Sequence, residues 1–107
     1  MDLNLFFYLF NNFIGGADDD YLSENYSNLD LNNEDSKMIF IQSILKPFFE
    51  SKFSTNQKKE LLLFLDDVSS EKIKIKEYDF ENQLFPFETP NDIQDFCNSI
   101  KRVLYPD

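Results

Sequence analysis

Histidine and tryptophan are absent from the 107-residue chain, and cysteine occurs once, as Cys97. The missing histidine removes the commonest general base and metal ligand, and the only side chain that ordinarily titrates near neutral pH. A lone cysteine makes no intrachain disulfide, so the fold is expected to need no oxidising compartment. Glycine is confined to Gly15 and Gly16. That leaves no glycine-rich loop to cradle a phosphate and no G-x-S-x-G elbow to present a nucleophilic serine. Cys97 has no histidine to activate it, and its place on the apolar face of a helix fits a small hydrophobe. Paired carboxylates remain as acid–base candidates, but glycosidase chemistry of that kind normally sits in a larger scaffold with a sugar-binding cleft. The expectation is a binding protein, not an enzyme, with no cofactor.

Basic residues are missing from the whole of residues 1–36, which carry eight acidic side chains. The net charge is −10 and the isoelectric point near 4.3. A charge of this size favours solubility, repels nucleic-acid and membrane phosphates and draws basic partners. Direct nucleic-acid binding requires a basic patch. The longest basic feature here is Lys72, Lys74 and Lys76, and Glu71 and Glu77 flank it. Long apolar runs are missing too. No stretch reaches the ~20 residues that span a bilayer. The N-terminal MDLNLFFYLFNNF carries Asp2 where a signal peptide carries Lys or Arg, and Asn11 and Asn12 interrupt it. The expected location is the cytoplasm, with no membrane partner.

What the chain does have is phenylalanine: 13 of them, with 5 tyrosines. Each buried aromatic removes ~150–250 Å² from water, so a few suffice for a small core. Length and patterning point to one mainly α-helical domain, a small bundle of about four helices over residues 1–107. Leu3, Phe6, Phe7, Phe10, Phe13 and Ile14 predict a first helix over about 3–14, with Asp2 as its cap and Gly15-Gly16 as its stop. A second begins near Asn33 or Asp35 and runs to about Phe53, burying Ile41, Ile44, Leu45, Phe48 and Phe49, with a kink or break expected at Pro47. Ser54 and Gln57 fit a capping box that opens a third, whose core face is Leu61, Phe64, Leu65 and Val68. A fourth follows Thr89-Pro90-Asn91-Asp92, with Thr89 read as its cap and Pro90 as its first residue. Phe96, Ile100 and Val103 share its buried stripe. Residues 71–76 alternate Lys and Ile with period two, the signature of a short strand, so at most a short strand or hairpin is expected near 72–87, and otherwise an extended connector.

The acidic residues are not spread evenly. Residues 1–36 hold −8 of the charge and the remainder only −2. Asp18, Asp19, Asp20, Glu24, Asp30, Glu34 and Asp35 interleave with Tyr21 and Tyr26, and these nine are the candidate partner-binding residues. Carboxylates pair with Arg and Lys, while Tyr adds contact area at low entropic cost. A second tract without basic residues, from Glu77 to Asp95, either extends this surface or lies on the far side. A calcium loop starting at Asp18 fails, because it would place Leu22, Ser23 and Leu29 where an oxygen ligand, a glycine and a glutamate are needed. The plain alternatives are a solvated loop and adventitious divalent-cation binding.

In size, acidity and richness in Asn, Lys, Ile and Phe, the chain resembles bacterial immunity proteins of contact-dependent growth inhibition and colicin-type systems. The likeness is one of general character, without a motif that would transfer functional residues. Proteins of that class block a cognate toxin domain, often a nuclease with a basic active groove. The resemblance therefore implies a basic protein partner whose active site an acidic surface covers. A phage-encoded inhibitor or nucleic-acid mimic, or a helical regulatory module with incidental acidity, are the alternatives.

Overall fold

The computed structural model describes residues 3–106, and the expected cap at Asp2 lies outside them. Seven α-helices form among these residues: α1 (Leu3–Tyr8), α2 (Asp20–Tyr26), α3 (Glu34–Phe40), α4 (Lys46–Lys52), α5 (Thr55–Ser69), α6 (Glu77–Glu81) and α7 (Ile93–Leu104). The helical class matches the sequence reading, while four helices was an undercount. Among the described residues there is no strand.

The first discrepancy has a steric cause. α1 stops at Tyr8 and the chain tightens into i to i−3 hydrogen bonds: Leu9 N–H to Phe6 O, Phe10 N–H to Phe7 O and Phe13 N–H to Phe10 O. A 3₁₀ turn follows at Asn11–Phe13. With three residues per turn, Phe7, Phe10 and Phe13 fall on one side of the chain. All three are buried, as are Phe6 and Leu9. A continuous α-helix would have rotated part of this set toward water.

The second expected helix exists, but its proline leaves a mark upstream of the expected site. Asn33 caps α3 by accepting the Ser36 N–H. Between α3 and α4 lies a five-residue π-helix, Ile41–Leu45, in which Lys46 donates to the Ile41 carbonyl five residues back. Pro47 has no N–H to offer, and its ring would press on the carbonyl four residues before it. The widened turn relieves that crowding, so of the kink or break expected the chain shows no break, only a local distortion of a helical path that continues. Ile41, Leu45 and Phe49 are buried, and Ile44 and Phe48 are half-buried against the core.

α5 begins as expected, with Ser54 and Gln57 satisfying each other's backbone N–H groups. Its face of Leu61, Phe64, Leu65 and Val68 is buried. α7 begins later than expected. Its cap is Asp92, which accepts the Asp95 N–H, and Pro90 is buried ahead of the helix. Thr89 is therefore not the cap. Phe96, Cys97, Ile100 and Leu104 are buried on α7, while Val103 is only partly so. Burial pushes the Cys97 thiol up to about 12, so it stays protonated and unreactive at neutral pH.

The predicted strand region divides in two. Ile75 is buried, Ile73 half-buried, and Lys72, Lys74 and Lys76 are exposed, so the two-residue alternation holds. Among the described residues no second segment pairs with it, and an extended segment becomes a strand only by pairing. Residues 77–81 form α6, with the Asp79 carboxylate accepting the Lys76 N–H. The core is a continuous aromatic cluster. Phe80 meets Phe7 edge to face at 5.1 Å, and Phe85 stacks on Phe87 at 5.1 Å.

Candidate protein-binding face

α2 is short and lies on the surface of the aromatic core. Asp19 adopts an extended backbone and accepts the Leu22 N–H at 3.0 Å, which starts the helix. One side of α2 turns inward: Leu22 and Tyr26 pack on the core, with the Tyr26 ring edge to face on Phe13 at 5.0 Å. Ser23 hydrogen-bonds back to the Gly16 and Ala17 carbonyls. The other side carries Asp20, Tyr21 and Glu24 outward, at the three- and four-residue spacings that share a helix face. Tyr21 is 70% exposed.

The nine candidate residues thus separate by role. Asp18, Asp20, Tyr21 and Glu24 are exposed together around the first turns of α2. Asp19 is exposed but engaged as the cap. Tyr26 faces the core and offers little to a partner. Asp30 accepts the Asn32 N–H at 2.9 Å and shapes the turn before α3. Glu34 and Asp35 lie in the first turn of α3, where the helix dipole favours them. Glu34 already has a counter-ion: it contacts the Lys37 ammonium at 2.7 Å, and Asp95 of α7 contacts the same ammonium at 2.9 Å. Burial lowers the Lys37 pKa, but these two carboxylates outweigh that effect and raise it overall. Lys37 is 4% exposed, so this pair also ties α3 to α7.

The fold answers the question that the sequence left open about the second acidic tract. Gly15 and Ala17 donate backbone hydrogen bonds to the Gln83 and Leu84 carbonyls, each at 2.8 Å. The approach is close because Gly16 has no side chain: a Cβ there would lie 2.7 Å from the Pro86 ring. Gly15 takes a left-handed φ of 75°, which turns the chain into this contact. Further along, the Asn91 N–H donates to the Asn32 side chain at 2.7 Å. The tract from Glu77 to Asp95 therefore lies beside the first one. Ala17 shares a cavity of about 410 Å³ with Glu77, Glu81 and Glu88, over Phe85 and Phe87.

No family model, curated protein or solved structure matches the chain. The geometry alone therefore bears on its role. Among the described residues, no group of three or more Cys, Asp or Glu is arranged to hold a metal ion. No described helix is long and apolar enough to cross a membrane. The sequence reading named the tract that holds Glu77, Glu81 and Glu88 but left open whether it adjoins the first, because the close approach of Gly16 to Pro86 that joins the two is not announced by a single sequence.

Proposed function

We propose that this chain is an immunity-type protein that binds and neutralises a cognate toxin domain, a nuclease, by covering its basic active site with an acidic face. The observation that carries the reading is the meeting of two acidic tracts, distant in sequence, around Ala17 and Leu84. Asp18, Asp20 and Glu24 follow Ala17 in the first tract and are exposed, and Glu77, Glu81 and Glu88 of the second line the cavity that Ala17 shares. An exposed Tyr21 stands among the first group.

A groove built for nucleic acid presents Lys and Arg at phosphate spacing. Carboxylates on a rigid helix occupy those positions without offering a bond to cleave, and the tyrosine excludes water between them. Such a face speeds encounter more than it strengthens the final complex, so association is fast at low salt and slows as salt rises. On this reading the chain works in the cytoplasm, without a cofactor and without touching nucleic acid itself.

The test is capture of partners by the tagged chain from its native host, followed by a nuclease assay on what is recovered. A dominant basic partner, with nuclease activity suppressed at equimolar ratio, is the expected result. Recovery of the same proteins by a D18N/D20N/E24Q/E81Q variant would remove the acidic face from the mechanism.

A further inference from the structure

The cavity of about 410 Å³ beside Ala17 combines features that acidity alone does not explain. Its floor is apolar, made by Phe85 and Phe87, whose rings stack at 5.1 Å. Its charged lining is of one sign: Glu77, Glu81 and Glu88, with no basic residue. All three are exposed, and among the described residues none belongs to an ion pair. The lysine beside them in sequence, Lys76, does not neutralise them. Its ammonium lies over the Tyr78 ring at 5.8 Å and bridges to no carboxylate among the described residues. Leu84 adds an apolar wall. It follows α6 at a φ of 55°, a left-handed conformation that glycine takes readily and leucine rarely. It is also 51% exposed. Neither backbone geometry nor core packing calls for leucine there.

We propose that this cleft seats a single arginine of the basic partner protein, a step that rests on the acidic-face reading above. The methylene stem lies against Leu84 and the phenylalanine floor, and the guanidinium lies between the carboxylates. The lining calls for a cation, since an anion would meet three like charges. A bare metal ion is poorly suited, because no group of three or more acidic side chains among the described residues is arranged to hold one. A guanidinium carries five donors in a planar fork on a long stem, so it reaches carboxylates that no single ion would gather. It is also more weakly hydrated than an ammonium, so the apolar floor costs arginine less than it costs lysine. The volume is near the lower end of the ~300–1,000 Å³ range of small-molecule pockets and suits one side chain. A desolvated pocket at the centre of an interface is where arginine acts as a hot spot.

The probe is acetylated, amidated Gly-Arg-Gly, titrated into the intact isotope-labelled chain and followed by amide NMR. Gly-Lys-Gly at equal ionic strength is its counterpart. The arginine peptide should give saturable shifts centred on residues 77–89 and Ala17, with a Kd in the millimolar range, and the lysine peptide should bind several-fold more weakly. E81Q/E88Q should abolish the saturable shifts while the melting temperature holds, since both side chains are exposed. E50Q/E60Q removes the same charge from exposed positions on α4 and α5 and should leave binding unchanged. Leu84→Gly should weaken binding several-fold while the melting temperature holds or rises, because glycine suits the left-handed turn. An absence of saturable shifts at about 10 mM peptide would overturn the proposal. Equal binding of the two peptides, or an equal loss in E50Q/E60Q, would reduce the cleft to general acidity and overturn the anchor, with the acidic face left standing. Failure of the acidic-face reading would show instead in capture from the host, with arginine binding at the cleft intact.

Discussion

Asp19 and Asp20 sit side by side, yet only Asp19 turns its carboxylate back onto the chain. Its hydrogen bond to the Leu22 N–H satisfies one of the four unpaired donors at the start of α2. Asp20 is in the first turn, where the helix dipole favours it weakly, but its side chain makes no hydrogen bond among the described residues. Asp19→Ala should therefore cost about 0.5–2 kcal/mol of stability. Asp20→Ala should change stability by less than about 0.5 kcal/mol, since loss of the dipole contact is offset by relief of like-charge repulsion. Chemical denaturation of both variants makes the comparison. Equal losses would mean that Asp19 is not the cap. The distinction was not legible in the run Asp18-Asp19-Asp20, because three identical residues offer three registers for one cap. The decisive feature is the inward pull of Leu22 and Tyr26, which fixes where the helix must start.

At the scale of the element, what was legible is what is local. The caps at Asn33 and Ser54 act within three residues of themselves, and both form. The apolar stripe of α7 repeats at helical spacing, and its centre is buried. Departures occur where distant packing overrides local pattern. The end of α1 is set by the need to bury Phe7, Phe10 and Phe13 together, and α2 exists because two apolar side chains find the core. The alternation at 71–76 reads as at most a short strand, with an extended connector as the alternative, and the connector is what forms, since a partner strand is a property of the rest of the chain. The α7 stripe also grades as packing dictates. Phe96 is fully buried and lies 6.1 Å from Phe10 and 6.2 Å from Phe80, while Val103 is at the margin. Phe96→Ala should cost about 3–5 kcal/mol, because the cavity it leaves is walled by rings that cannot collapse into it. Val103→Ala should cost less than half of that, its neighbourhood being open to water. Thermal melts of the two variants test this order, and an inverted order would place the centre of the α7 contact nearer its C-terminus.

For the whole molecule, the distribution of charge matters more than its sum. Lys37 and Lys101 each bridge to acidic groups, Lys37 to Glu34 and Asp95 and Lys101 to Asp66. Asp18, Asp20 and Glu24 belong to no ion pair among the described residues, and the second acidic tract lies beside them. Like charges held together by the fold oppose it, and an unfolded chain relieves them by separating. Salt shortens the reach of that repulsion, from a Debye length of ~30 Å at 0.01 M to ~10 Å at 0.1 M. The melting temperature of the wild-type chain should therefore rise across this range. D18N/D20N/E24Q removes three of the crowded charges and spares the Asp19 cap. Its melting temperature at low salt should equal or exceed that of the wild type, and its rise with salt should be smaller. Binding should move the other way, because at an interface these carboxylates gain the basic counterparts that the free chain does not give them. Close charge pairs between proteins couple by ~1.5–7 kcal/mol, and charges at the rim act on the association rate and its salt dependence. The variant should bind the partner recovered from the host more slowly, with a shallower dependence on salt. Thermal melts at two ionic strengths and stopped-flow association at the same two separate the outcomes. A lower melting temperature would assign the three carboxylates a part in holding the fold. Unchanged association with an unchanged salt slope would move the contact surface elsewhere.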